Sequence, residues 1–336
     1  MSIGIPGSRG LFSLLQEGFR HTNKDRIRLT QPMLDQLADF EYLAMDLNKR
    51  PTSLSELVPD HPVAVGPHDA SGKGMGGAWL PSVTNSNLDP IIWRARFPPK
   101  IVDSLVSHKN PHGTINNSEL ELAGMIAHND ILQQQVNCAG RTIVPLGDNT
   151  AAVLWEHKAS VTTTGPASYL LRLHSLHQRH YRYLSKADYI PGPVNAMADD
   201  CSRLWHLTDT ELLQHFNSNY PQAQPWQLVP LRPEMLSSLI SALQKERQEP
   251  RSYLRGLVNK TSTGKYGKNS LPTTTSIATS ENKPKQSSFL FSRYLGPVSD
   301  EVTSPPAVNL LELNKWRTSY GPSERRSPVW GPQTHV

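Results

Sequence analysis

Cysteine is almost missing from this chain: Cys138 and Cys201 are the two in 336 residues. They are too few for a disulfide framework and lack the paired spacing of a zinc site, so a reducing compartment is expected. Long apolar runs are missing too. Nowhere do about 18 apolar residues follow one another, and the stretch from Met1 to Leu15 has no continuous apolar core with a cleavage site. Neither a membrane span nor secretion is indicated, and an intracellular protein, cytoplasmic or nuclear, is the expectation. Hydrophobic residues make up 37%, low for a fully globular chain of this length, so part of it should be unstructured. A large excess of one charge is also absent. A net charge of +5 suits a polyanionic partner without demanding one. No internal repeat is visible.

What is present centres on Pro67-His68-Asp69-Ala70-Ser71-Gly72-Lys73-Gly74-Met75-Gly76-Gly77-Ala78-Trp79. The apolar run before it reads as a strand, and the glycines allow a reversal into a second strand at Gly77–Leu80, a hairpin with an acid at its root. Asp beside Gly is also ordinary turn chemistry. Ile91 to Phe97 alternates as a third strand, ended by Pro98 and Pro99. A helix follows from Asn117 or Ser118, either of which can cap it, with Leu120, Ala123, Ala127 and Ile131 on one face. Glu119 and Glu121 fall in its first turn, where the helix dipole favours carboxylates in any case.

Thr142 to Leu146 reads as a short buried strand ending at Gly147-Asp148, with a helix starting at Asn149, and strand, acid, helix start is a favoured ligand geometry. A helix after Pro166 carries Arg172, His174, His177, Arg179, His180 and Arg182. Two readings compete there: metal ligation by histidines at steps of three, or a solvated, phosphate-facing basic surface. A last strand is expected over Ala187–Ile190, then a turn into a helix bearing Asp199 and Asp200.

The acids at four successive junctions, Asp69, Glu121, Asp148 and Asp199, stand in an order and spacing that resemble the ribonuclease H domain of retroelement reverse transcriptases, especially the gypsy-like and DIRS-like kind. The resemblance covers roughly residues 60 to 205. Its most specific piece is Asn195-Ala196-Met197-Ala198-Asp199-Asp200-Cys201-Ser202-Arg203, an Asn-x-x-Ala-Asp-x-x-Ser-Arg pattern. The resembled family has Glu-Leu with a small residue three positions after the acid, which Glu121 meets with Leu122 and Gly124, and the match to its closing motif, with Ser202-Arg203 at the same offset, implies Asp199 over Asp200. The loop Tyr189–Pro193 lacks the His that many cellular ribonucleases H carry before the final acid.

The resemblance implies an α/β fold, a ribonuclease H-like mixed five-stranded sheet with flanking helices and a flexible C-terminal tail. It implies metal-dependent cleavage of the RNA strand of an RNA–DNA hybrid, with Asp69, Glu121, Asp148 and Asp199 as catalytic residues and ligands of two magnesium ions that manganese can replace. Magnesium prefers hard oxygen donors, which suits this set. Gly72 to Gly77 and Asn149 are expected to read the hybrid's minor groove, and Arg172, Arg179 and Arg182 to hold phosphates.

Domain boundaries follow from the resemblance, and for the tail from composition. Residues 1–59 read as a loose leader and a connector helix from Thr30 to before Pro51, 60–207 as the ribonuclease H-like domain, 208–247 as a helical extension and 248–336 as a low-complexity tail. Residues 245–286 hold nine Lys and Arg against three acids, with many Ser, Thr, Gly and Asn. No Tyr-x-Asp-Asp polymerase signature occurs, so a polymerase is expected upstream or lost, and a recombinase module can follow in DIRS-like elements. The rival from another class is a non-catalytic remnant that keeps the fold for nucleic-acid binding or as a connecting module.

Overall fold

The computed structural model describes residues 31–81, 89–161 and 165–248. The expected leader over 1–28 and, from residue 249 on, the expected tail lie outside the described residues. Among the described residues no helix is long and apolar enough to cross a membrane.

Strand β1 (Pro62–Ala70) is buried along its whole length and reads as a continuous apolar run, which is what a central strand covered on both faces requires. It pairs antiparallel with β2 (Gly74–Pro81), and the turn closes with the Ser71 N–H donating to the Gly74 carbonyl at 2.8 Å. β3 (Ile91–Arg96) continues the antiparallel meander beyond β2. On the other side of β1 lies β4 (Thr142–Gly147), running parallel to it.

The mixed sheet with flanking helices is as expected, but it has seven strands rather than five. The single strand anticipated over Ala187–Ile190 is two short pieces, β5 (Leu184–Ser185) and β6 (Asp188–Tyr189), both parallel to β4. The ladder breaks between them, where the Ala187 N–H turns to the carboxylate of Glu156 at 3.4 Å. The seventh, β7 (Gln227–Leu228), adds to the free edge of β3. Two residues between Pro225 and Pro230 show no periodicity, so the sequence carries no signal for it.

Eight helices accompany the described sheet: α1 (Gln31–Lys49), α2 (Pro99–Val102), α3 (Asn117–Gln135), α4 (Thr150–Lys158), α5 (Pro166–Tyr181), α6 (Ala196–Arg203), α7 (Asp209–Asn219) and α8 (Pro233–Leu243). α3 is buried from Glu119 to Gln133 and covers one face of the sheet, where Met75, Trp79 and Trp93 meet Ile126, Leu170 and Leu239 in one core. A helix apolar on every side belongs between layers, and α5 and α8 supply the outer one. On the opposite face Ala78, Leu80 and Ile92 pack with Cys201 of α6 and Leu212 and Phe216 of α7.

The glycines of the hairpin serve this packing. A Cβ on Gly76 would lie 2.6 Å from the Cβ of Cys201, and one on Gly74 would lie 2.3 Å from the indole of Trp205. Their absent side chains let α6 and the segment after it lie directly on β2, which corrects for Gly74 and Gly76 the expectation that they face a groove of nucleic acid, whereas Gly72 is exposed at the turn. In the layer beneath, Trp93 Nε1–H donates to His128 Nδ1 at 2.8 Å, leaving Nε2–H to donate to the Gly66 carbonyl at 3.1 Å. Burial holds this imidazole well below its ordinary pKa, so it stays neutral, stacked on Trp79 at 3.9 Å.

The expected basic surface of α5 is inside the protein. Arg172 and Arg179 are 4% and 2% exposed. Arg172 binds Asp39 of α1 through Nε at 2.6 Å and Nη2 at 2.8 Å, Arg179 binds Asp46 at 2.7 Å, and Arg182 binds Glu56. The guanidinium groups are committed to carboxylates of the connector helix and the turn after it, because a buried charge needs an opposite one. His174, His177 and His180 are not gathered for a metal either. His177 bridges Asp130 at 3.1 Å and Tyr183 at 2.9 Å, and burial pushes His174 down to about 3 and His180 down to about 4, leaving both neutral.

Glu156, on α4, gives a stability prediction. Burial pushes its carboxyl up to about 7 from an ordinary 4.5. The folded state therefore holds a proton that the unfolded chain releases, and this contribution is complete below pH 4.5 and lost as pH rises through 7. Glu156→Gln is expected to be more stable than wild type at pH 8, by about 2–3 kcal/mol, and equal to it near pH 4. Urea unfolding at the two pH values measures the difference, and a gap that does not change with pH would refute it.

Candidate metal centre

Asp69 lies one residue before the end of β1, with its side chain on the α6 face of the sheet, opposite to Ala70 and Met75. Glu121 comes from the first turn of α3. Asp148 follows β4 directly, where Asn149 caps α4 by accepting the Ala152 N–H at 3.0 Å. Strand end, helix start and strand end thus converge at one end of the central strands of the sheet. Ligand oxygens of Asp69, Glu121 and Asp148 all lie within 4.8 Å of one another.

The local caps decide which neighbouring acid points inward. α3 begins one residue earlier than expected, capped by Asn116, whose Oδ1 accepts the Glu119 N–H at 3.1 Å while Glu119 Oε2 accepts the Asn116 N–H at 2.8 Å. Glu119 is thereby consumed in a capping box. Glu121, half a turn on, reaches the β1 end, where its Oε2 accepts the Ala70 N–H at 3.2 Å and its Oε1 the Asn117 amide at 3.4 Å.

Asp199 stands outside the three-acid group but beside it. Asn195, fully buried, donates from its side-chain amide to the His68 carbonyl at 3.1 Å and so fastens the start of α6 to β1. Two turns later Ser202 donates to Asp69 Oδ2, and Arg203 joins Asp199 Oδ1 at 2.9 Å to Asp69 Oδ2 at 3.4 Å. The Asn-x-x-x-Asp-x-x-Ser-Arg spacing is thus one short helix whose two ends address β1, with Asp199 linked to β1 through Arg203. Asp200 faces away and accepts from His215 at 2.7 Å and Tyr220 at 2.8 Å, tying α6 to α7. Ser202 and Arg203 were visible in the motif, yet only their placement assigns them contacts with Asp69.

The electrostatics are those of acids waiting for a cation. Burial, then the charges of Asp69 and Asp148, push Glu121 well above the usual carboxylate range. Burial and Asp69 raise Asp148, and burial and Asp69 raise Asp199 against the opposing pull of Arg203. Three hard oxygen donors at this spacing fit a magnesium-like ion, whose charge would remove the repulsion. Of the other expected contacts, Asn149 sits at the rim as a helix cap, whereas Arg172, Arg179 and Arg182 belong to the α1–α5 contact and are not brought to the acids.

No family model matches the chain, and no curated protein matches it. Among solved structures it is similar to ribonuclease H1 from the halophilic archaeon Halobacterium salinarum NRC-1, at 13% identity over 41% of this chain and 92% of that one, with a TM-score of 0.28.

Proposed function

We propose that the chain is a metal-dependent endonuclease that hydrolyses the RNA strand of RNA–DNA hybrids, as the ribonuclease H portion of a retrotransposon reverse transcriptase. The observation that carries the reading is the convergence of Asp69, Glu121 and Asp148 at one end of the central strands, with Asp199 joined to Asp69 through Arg203. Asp69 would be the shared ligand, Glu121 and Asp148 would complete one ion position, and Asp199 would help hold the other. Divalent cations bound there would supply a nucleophilic water and stabilise the leaving oxygen beside an already anionic phosphate.

The chain's own residues do the rest. The Ala70 N–H and the Asn117 amide orient Glu121, and Ser202 orients Asp69. Burial of Asp69 and Glu121 keeps bulk water from screening the acids. The products are a 3′-hydroxyl and a 5′-phosphate. A polymerase domain upstream and a recombinase module downstream are the partners this reading implies.

The test is hydrolysis of a labelled RNA–DNA hybrid by the full chain. Cleavage of the RNA strand is expected in magnesium or manganese and silence in chelator, with calcium binding but not supporting turnover because its looser coordination misplaces the water. Cleavage undiminished by chelator would overturn the metal reading.

A further inference from the structure

Among the described residues Arg203 is the cation in contact with the acids of the site, and its placement is specific. Its Nε and Nη2 both lie 2.9 Å from Asp199 Oδ1, and Nη2 is also 3.4 Å from Asp69 Oδ2. Its side chain is 57% exposed, so it has room to swing away from both carboxylates without unpacking anything. Asp69, by contrast, is buried and fixed on one side by Ser202. The guanidinium therefore spans the pair of carboxylates assigned above to the second ion, and among the described residues it touches the Asp69–Glu121–Asp148 group through Asp69 Oδ2 alone.

We infer that Arg203 is a resident counter-cation of the Asp69–Asp199 pair, which a divalent ion must displace to bind there, so that the two ion positions are unequal by construction. This rests on the proposed two-ion reading and goes beyond it by assigning the order of filling. The first ion enters the three-acid group, where Glu121 and Asp148 have no guanidinium contact and Arg203 reaches only Asp69 Oδ2. The second competes with Arg203 for Asp199 and for one oxygen of Asp69. Two effects oppose that second ion: the Arg203–carboxylate contacts it breaks, and the repulsion between a divalent charge and a guanidinium a few ångströms away. Once displaced, the guanidinium stays tethered at the end of α6 with its five donors free for a phosphate oxygen.

The experiment is manganese binding, followed by calorimetry and by the electron paramagnetic resonance of the free ion, to the full chain without nucleic acid. Wild type is compared with Arg203→Gln, Asp199→Asn, the double variant, and Lys73→Gln as a control that removes an exposed charge elsewhere on the hairpin. Two classes of site are expected in wild type. Arg203→Gln is expected to tighten the weaker class by about tenfold and leave the stronger within about twofold. Asp199→Asn is expected to abolish the weaker class, and adding Arg203→Gln to it should restore nothing.

Equal tightening of both classes, the same tightening from Lys73→Gln, or an effect of Arg203→Gln that persists without Asp199 would overturn the inference in favour of a general charge effect. An unchanged weaker site in Arg203→Gln would overturn it as well. Those outcomes leave the metal-dependent reading standing, whereas no manganese binding to wild type would remove both.

Discussion

Asp69→Asn is expected to abolish hybrid cleavage while the protein melts within a few degrees of wild type. Asn keeps the volume of Asp and one acceptor oxygen, so the buried hydroxyl of Ser202 retains a partner and β1 keeps its packing. What disappears is one negative charge from the residue assigned to both ion positions. Losing such a ligand removes several kcal/mol of transition-state stabilisation, about three or more orders of magnitude in rate. The metal-free fold loses nothing by it, since Asp69 is among the causes that push Glu121, Asp148 and Asp199 upward.

The neighbouring acids sharpen this test. Glu121→Gln and Asp199→Asn are expected to be inactive. Glu119→Gln should remain near wild type, because Gln serves equally in a capping box, and Asp200→Asn keeps an acceptor for His215 and Tyr220. Single-turnover cleavage of a labelled hybrid, with a melting curve for each variant, measures the set. Wild-type rates in Asp69→Asn would reduce that residue to a turn acid, and reversed behaviour within either pair would shift the site by the corresponding step.

The largest expected loss of stability comes from a different acid. Asp130, in the middle of α3, is fully buried and receives three partners: His177 at 3.1 Å, Arg232 through Nε at 3.0 Å to its other oxygen, and Gln134 at 3.3 Å. Burial opposes its charge, but His177 and Arg232 outweigh it and hold its pKa below the ordinary value. Asp130→Ala leaves a guanidinium largely buried and unpaired and a buried imidazole without its acceptor. Removing one partner of a buried ion pair costs about 3–5 kcal/mol, because the charge left behind stays desolvated. For a domain of this size that lowers the melting temperature by on the order of 10 °C.

The sign with pH follows from the lowered value. The contribution of Asp130 is present above its unfolded pKa and lost as pH falls through the folded one, so wild type and Asp130→Ala should converge in acid. Thermal melts of both proteins from pH 3 to pH 7 measure this, and a variant that melts with wild type at neutral pH would show that the buried pair contributes nothing.

Much of the site was legible in one dimension because each acid sits at a junction with its own local signal. Asp69 precedes a glycine turn, Asp148 stands between an apolar strand and a capping Asn, and Asp199 follows Asn195 at the spacing of one helical turn. Strand and helix periods, caps and turn residues are local, so the hairpin, β3, β4 and the helices near 117, 150, 166, 196, 210 and 233 could be placed from their own residues. The preference for Glu121 over Glu119 also has a local cause, now visible as the reciprocal cap between Asn116 and Glu119.

Charge placement on α5 was not legible. Helical spacing says which residues share a face, but not whether that face meets water or another element. Asp39 and Asp46 are seven residues apart on α1, and Arg172 and Arg179 are seven apart on α5, so two turns of one helix match two turns of the other. That match is written in the sequence, yet it joins segments 133 positions apart and acquires meaning only once the helices lie side by side. The same holds for β7, for the split of the last strand at Ala187, and for Arg203 between Asp199 and Asp69. The sequence by itself determined most of the elements and the local setting of each of the four acids, since these depend on near neighbours in the chain. Tertiary structure alone decided which charges are buried against each other and which are left facing a cation, because Coulomb energy depends on distance and local dielectric, and neither is a property of the linear chain.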